Sequence, residues 1–285
     1  MSKVIRKLTL ADFPQVKAMH TGIEDDYIIL IFEELIEEPH AIFGLFINEQ
    51  LVSFAGYSIF ADQYAMLGRL RSDLRFRGRG YATKVMSYAL EQAKKIEGIK
   101  WIGANTQEDN PSARKVLEKI GLMPYPKLYR AITNDISTVI TEAKPWSPIH
   151  DLNRKREWLQ RTYINKSSLF PYECYYLFPA KDGLFSDEKL RKWSFYENET
   201  NTRFLITKKD YNKRGFYLHS LYPWDDLMEQ EGLLETIALD LQHEKEKNNE
   251  DIYIWMDLPE ETVQKLPHHH PFDLTSAWIL HGIDL

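Results

Sequence analysis

One cysteine, Cys174, stands among 285 residues. A single thiol excludes an internal disulfide framework and any metal site built from a cysteine cluster. Long apolar runs are missing too: none approaches the roughly 20 residues that a membrane-spanning helix needs. Lys3, Arg6 and Lys7 near the start are not followed by an uninterrupted apolar core with a small-residue cleavage site. No signal peptide is therefore expected, and a cytoplasmic protein is. A basic excess is also lacking. The net charge of −6 argues against general affinity for nucleic acid, so neither nucleic acid nor membrane is an expected partner. What remains is a globular composition, 44% hydrophobic and 27% charged, with no low-complexity tract. At this length two domains are expected.

Against that background one stretch stands out, residues 70–82, read Leu-Arg-Ser-Asp-Leu-Arg-Phe-Arg-Gly-Arg-Gly-Tyr-Ala. A strand over 65–72 runs into a turn rich in arginine and glycine, and a helical pattern over 81–96 begins at once. Amides at a helix start lack partners, and the helix dipole favours negative charge there. Gly78 and Gly80 allow close backbone approach, while Arg75, Arg77 and Arg79 add positive charge. These are the parts of a phosphate cradle. The spacing is not that of a dinucleotide-binding Gly-x-Gly-x-x-Gly loop, because Thr83 stands in place of the last glycine.

The first half reads as a strand at 4–6, a helix entered through Thr9 to Asp12, and a second helix over 26–37 stopped by Pro39. Strands over 41–47 and 51–59 follow, joined across Asn48, Glu49 and Gln50. After the cradle and its helix come a strand at 99–104 and a helix through Ile120. That helix has Asn110 as its cap, Pro111 at its first position and Gly121 as its stop.

This order, with two of its motifs, resembles the GNAT acetyltransferase superfamily. Arg77-Gly78-Arg79-Gly80-Tyr81-Ala82 is similar to the family's acyl-CoA motif. Asn110-Pro111-Ser112-Ala113, followed by a short helix closing on Gly121, is similar to its second motif. The resemblance covers about residues 4–131. It implies an α/β (α+β) GNAT fold, a mixed and mostly antiparallel sheet flanked by helices, and acetyl-CoA as acyl donor. Turn amides of Arg77, Gly78, Arg79, Gly80, Tyr81, Ala82 and Thr83 would hold the pyrophosphate. Leu70, Arg71 and Ser72 would lie beside the pantetheine arm, and Asn110 would touch the donor. The implied activity is transfer of acetyl to a primary amine, on a small molecule or a peptide, by a monomer or homodimer. A CoA-binding sensor or accessory protein without catalysis is the alternative.

Two positions depart from the family pattern. Where it commonly has a tyrosine as proton donor, this chain has Leu117; where some members have a glutamate as general base, it has Met66. A missing acid or base typically costs ~10² to 10⁴ in rate. Tyr125 and Tyr129 are candidate substitutes, as are Glu24, Asp62 and Asp73 acting through a water.

Residues 133–148 are polar with two prolines and read as a linker, dividing a domain over 1–135 from one over 145–285. The second half reads as a helix over 150–163, strands at 174–178, 203–207 and 216–222, and a long helix over 227–246. A strand at 252–256, a short helix over 260–266 and a last strand at 277–280 complete it. The order repeats the first half, so a degenerate second GNAT-like copy is expected. Its counterpart of the cradle, residues 223–232, is acidic and glycine-poor, so no CoA is expected there. The run His268-His269-His270 reads as a surface turn between prolines, and no metal is expected. Cys174 lies in an aromatic, core-like segment and is a poor candidate for an acyl-bearing nucleophile.

Overall fold

The computed structural model describes residues 2–212, 215–248 and 251–285. They form two units, one of the described residues up to 125 with 279–285 and the other of those from 126 to 278. The division falls between Tyr125 and Pro126, ahead of the linker expected over 133–148, and the last seven residues return to the first unit. The polar stretch was misleading because its side chains are used locally. Thr141 donates from its amide and hydroxyl to Glu235, and the Trp146 amide donates to Thr236 Oγ1 at 2.8 Å.

In the first unit, β1 (Lys3–Lys7) is followed by a short helical turn and α1 (Phe13–Lys17), then by α2 (Phe32–Leu35). Next come β2 (His40–Ile47), β3 (Gln50–Phe60), β4 (Tyr64–Ser72), α3 (Tyr81–Ala93), β5 (Trp101–Gln107), α4 (Pro111–Lys119) and β6 (Met123–Pro124). The sheet order is β1-β2-β3-β4-β5 and then the C-terminal strand Trp278–Asp284. Pairing is antiparallel as far as β4 and parallel between β4 and β5, where α3 makes the crossover. Asn48 and Glu49 both have positive φ (46° and 69°), so the β2–β3 hairpin closes through two residues rather than three.

The expected helix over 26–37 is broken into a turn at Tyr27–Ile29 and the four residues of α2. Its apolar residues surround the axis, yet only one side can face the sheet. Ile28, Phe32 and Leu35 are buried while Leu30 is 79% exposed. The β-branched run Ile28, Ile29 and Ile31 also holds the helix weakly. Each face of the sheet has its own core. Leu45, Ala65, Leu67, Val85, Leu90 and Leu117 pack on the α3 side, and Val16, Ile28, Phe32, Ile42, Leu51 and Phe54 on the other.

The second unit contains β7 (Leu128–Thr133), β8 (Ser147–Pro148), α5 (Leu152–Leu159), β9 (Leu169–Glu173), β10 (Tyr176–Pro179) and α6 (Asp187–Lys192). It continues with β11 (Ser194–Glu197), β12 (Phe204–Asn212), β13 (Gly215–Leu221), α7 (Leu233–Asn248), β14 (Ile252–Pro259), α8 (Glu260–Lys265) and β15 (Asp273–Leu274). The strand expected over 174–178 is a correction. Cys174 and Tyr175 form the turn of a separate β9–β10 hairpin, with Tyr175 at φ 75°. The main sheet runs β8-β11-β12-β13-β14-β7, and its parallel step, β13 to β14, is crossed by α7. The succession β12–β13–α7–β14–α8 thus repeats β3–β4–α3–β5–α4. From Tyr64 to Trp101 and from Gly215 to Ile252, the starts of the two parallel strands are 37 residues apart in both units. Each sheet ends on a borrowed strand. The C-terminal strand, which follows α8, lies next to β5; β7, which follows α4, lies next to β14.

Candidate functional site

The turn between β4 and α3 is built around a buried carboxylate. Asp73 is fully buried and accepts from the Arg75 amide at 3.0 Å, the His20 amide at 3.3 Å and the Arg75 guanidinium at 2.9 and 2.6 Å. The guanidinium holds this carboxyl at about 2, against the upward push of burial. Asp73 is therefore spent on shaping the turn and is not the proton carrier expected of it. Arg75 is neutralised with it. Arg77 reaches the Thr21 carbonyl at 3.3 Å, and Arg79 lies 5.5 Å over the Phe76 ring.

Beyond them the chain enters the left-handed region twice, at Gly78 (φ 77°) and at Gly80 (φ 72°), and Gly80 caps α3. A Cβ placed on either glycine would meet no atom within 4 Å. The space in front of the α3 N-terminus is open, and the helix's first amides face it. Tyr81, Ala82 and Thr83 form that first turn.

The second feature is the parting of two parallel strands. β4 and β5 pair from Tyr64↔Trp101 to Leu67↔Ala104, and there the ladder stops although both strands continue. Arg69 has φ 57°, and the β3–β4 register slips between Phe54 and Gly56, so β4 bulges at the point of parting. Past the bulge, Leu70 packs on the α3-side core. The Arg71 carbonyl accepts from Ser53 Oγ at 2.8 Å, and the Ser72 hydroxyl lies 2.8 Å from Ser53 Oγ. The Arg71 side chain pairs with Asp26 at 2.6 and 2.8 Å, with both groups largely buried. Residues 20–26 are thereby strapped to the end of β4 at His20, Thr21 and Asp26. Under the strap lies a cavity of about 120 Å³ lined by Val16, Met19, Thr21, Asp26, Ile29 and Phe54.

The positions expected to carry acid and base are apolar and buried, Met66 at 3% exposure and Leu117 likewise at 3%. Of the substitutes, Glu24 lies exposed in the strap. Tyr125 belongs to the first unit, where its hydroxyl accepts from Trp101 Nε1 at 3.2 Å. Tyr129 belongs to the second unit, where its hydroxyl donates to Glu260 at 3.4 Å. Asn110 caps α4, accepting from the Ala113 amide at 3.1 Å, so its carbonyl oxygen is engaged and its amide nitrogen is left to offer.

A pair that sequence reasoning missed lies on the Met66 row. His40 faces Ser58, Ser58 faces Met66 and Met66 faces Gly103 across successive strands. His40 Nδ1 is 2.6 Å from Ser58 Oγ. Burial first, and then the charge of Arg69, lowers the His40 pKa below its ordinary value, so the ring is neutral near pH 7. The only signal was a histidine at a strand start, which means nothing until strand register is known.

The counterpart turn in the second unit is closed. Gly232, at φ 79°, precedes α7 as Gly80 precedes α3, but a Cβ there would lie 2.2 Å from the Lys144 carbonyl oxygen and 3.0 Å from Trp146. The acidity expected to repel phosphate is partly cancelled, because Asp225 pairs with Lys265 and Asp226 with Arg203. Its own chain fills the place instead. Cys174 is buried, and burial first, then nearby carboxylates, raise its thiol far above the ordinary range, which disfavours a role as acyl-bearing nucleophile.

Residues 4–122 match the family described as Acetyltransferase (GNAT) family. This part of the chain is a GNAT domain. No curated protein matches the chain. Among solved structures, a GCN5-related N-acetyltransferase from Sphaerobacter thermophilus superposes over 99% of this chain and 95% of its own, with TM-score 0.58 and 12% identity. Proteins described as putative acetyltransferases from Thermoplasma acidophilum and Pyrococcus horikoshii give TM-scores of 0.53 and 0.54, each at 12% identity. They cover 98% and 99% of this chain, and 91% and 89% of their own. At such identity the likeness is one of fold, and it extends over both units.

Proposed function

We propose that the first unit binds acetyl-CoA and transfers its acetyl group to a primary amine, on a small molecule or a peptide, by direct attack. The open turn at Gly78 and Gly80 in line with the parted strands β4 and β5 carries this reading. Amides of residues 77–83 would hold the pyrophosphate, residues 70–72 would lie along the pantetheine arm, and the Asn110 amide would add a donor. The amine nitrogen bonds to the acyl carbon as the carbon–sulfur bond breaks, so CoA leaves as thiolate and the amine gives up a proton. A thiol pKa of roughly 8.5 makes that leaving group workable without an acid. Strand amides past the Arg69 bulge would stabilise the developing oxyanion. Ser58, backed by neutral His40, is the best-placed proton acceptor on the Met66 row. The second unit, with its turn filled by Lys144 and Trp146, would bind no CoA.

The apolar Met66 and Leu117 favour a second reading, a CoA-binding sensor or accessory protein that lacks turnover. Calorimetry with acetyl-CoA, together with CoA release followed by a thiol reagent over a panel of amines, separates the two. Binding with amine-dependent release supports the transferase. Binding without release on any amine supports the sensor. No binding overturns both.

A further inference from the structure

The second unit contains a buried group of ligating atoms that acetyl transfer does not use. A ring nitrogen of His219, Sγ of Cys174 and a carboxylate oxygen of Asp210 lie within 4.8 Å of one another. They come from three segments: the turn between β9 and β10, strand β12 and strand β13. His219 is fully buried. Its Nε2 is 2.8 Å from Asp257 Oδ2, which also accepts from Trp255 Nε1 at 3.1 Å. A carboxylate oxygen that accepts from the indole makes Nε2 the protonated nitrogen. Nδ1 then holds a lone pair, and it is buried with no hydrogen-bond partner.

From this geometry we infer that Cys174, Asp210 and His219 form a site for one divalent transition metal of zinc's character, which staples the β9–β10 hairpin to the main sheet of the second unit. The donor set is one sulfur, one imidazole nitrogen and one carboxylate oxygen, a mixture that suits a borderline-soft ion and not calcium or magnesium. Asp257 stands behind His219 as carboxylates stand behind metal-bound histidines, fixing the tautomer and the ring. Atoms around a tetrahedral zinc are roughly 3.3–3.8 Å apart, so the ion would draw these three slightly inward. Asp210 keeps room to coordinate: its two oxygens accept from the amides of Cys174 and Tyr211, at 2.5 and 2.7 Å, and its further hydrogen bond with the Cys174 thiol is given up when that thiol loses its proton to bind the ion. The nearby Lys208 ammonium is spent on the carbonyls of Pro171 and Tyr172. Binding would release the Cys174 proton to solvent as sulfur bonds to the ion. Three protein ligands leave a fourth position, on the half-exposed side where Asp210 lies. The site concerns the second unit alone and does not rest on acetyl-CoA binding.

The test uses the full chain without an affinity tag, stripped with chelator and titrated with Co²⁺ alone, then with Zn²⁺. One Co²⁺ per chain is expected, with a thiolate-to-cobalt charge-transfer band that Zn²⁺ abolishes. Cys174→Ser should remove the band, and Asp257→Asn should keep it while weakening affinity about 10- to 100-fold. Replacing His268, His269 and His270 together should change nothing. Circular dichroism establishes that each variant is folded. Absence of a band in the folded wild-type chain overturns the site. So does a band that survives Cys174→Ser, and so does binding that disappears with the His268–His270 run instead.

Discussion

Gly80→Val tests the cradle at the point where fold and binding separate most cleanly. The residue sits at φ 72°, ψ 15°, and nothing lies within 4 Å of where its Cβ would be. The cost to the fold is therefore conformational and not steric. A side chain forced into the left-handed region costs about 1–2 kcal/mol, and a β-branched one stands at the upper end. For a unit of this size that lowers Tm by about 3–8 °C. The cost to binding is larger. An isopropyl group would fill the space in front of the α3 amides, where a phosphate would accept charge-assisted hydrogen bonds worth about 1.5–3 kcal/mol each. Losing two of them weakens Kd by roughly 10² to 10⁴.

Three measurements read this out. Thermal unfolding reports the strain, calorimetry with acetyl-CoA reports the loss, and calorimetry with acetyl-pantetheine, which lacks the pyrophosphate, serves as control. Gly80→Ala, with less strain and less bulk, should lose less affinity than Val and less of its Tm. The reasoning is refuted if the folded Val variant binds acetyl-CoA within twofold of the wild type. It is refuted equally if acetyl-pantetheine binding falls in parallel, because the residue would then act through the fold and not on phosphate.

Asp73→Asn should cost about 2 kcal/mol at pH 7, since the native carboxyl at about 2 lies below an unfolded value of roughly 3.9. A depressed acid stabilises fully above the unfolded pKa, so urea titrations should show the difference between wild type and variant shrinking from pH 5 down to pH 2. If His40 accepts the proton, kcat/KM should fall on the acid side with a midpoint below 6.5, and that limb should vanish in His40→Gln. An unchanged profile in the variant removes His40 from the mechanism. Deleting residues 279–285 takes Ile279, Leu280 and Ile283 out of the first unit's packing, a loss of roughly 5–9 kcal/mol against a total of about 5–15. The first unit should then lose its cooperative transition by calorimetry, even though its motif residues are all present.

Much of the site was legible because it is local. Asn110, Pro111 and Gly121 bracket α4 as their capping preferences require, and Gly78 and Gly80 take the left-handed conformations that only glycine adopts freely. What escaped depends on partners distant in sequence. Arg75 looked like a cradle charge until Asp73 took it. Arg71 is committed to Asp26, 45 residues away. His40 and Ser58 become a pair only through the β2–β3 register, and Cys174 meets Asp210 and His219 only once three segments have folded together. The chain division was misread for the same reason. Residues 133–148 have a linker's composition, but composition does not record that Thr141 and Trp146 bond to α7.

The two left-handed glycines, Gly80 and Gly232, show what separates the copies. Both precede the crossover helix of a parallel strand pair, at φ 72° and 79°. The backbone that makes a cradle is thus present twice. Before α3 the space is open; before α7 it holds the Lys144 carbonyl, kept there by Trp146 bonds to Thr236 and to the Glu231 carbonyl. A carbonyl oxygen there both takes up the room and presents partial negative charge where a phosphate would otherwise put its own. The second unit is in this sense occupied by its own chain. Charge alone does not explain the difference, because Lys265 and Arg203 already balance two of the acidic residues. It follows that neutralising Asp225 and Asp226 should not confer CoA binding on the second unit, whereas displacing residues 141–146 is the change that would have to come first.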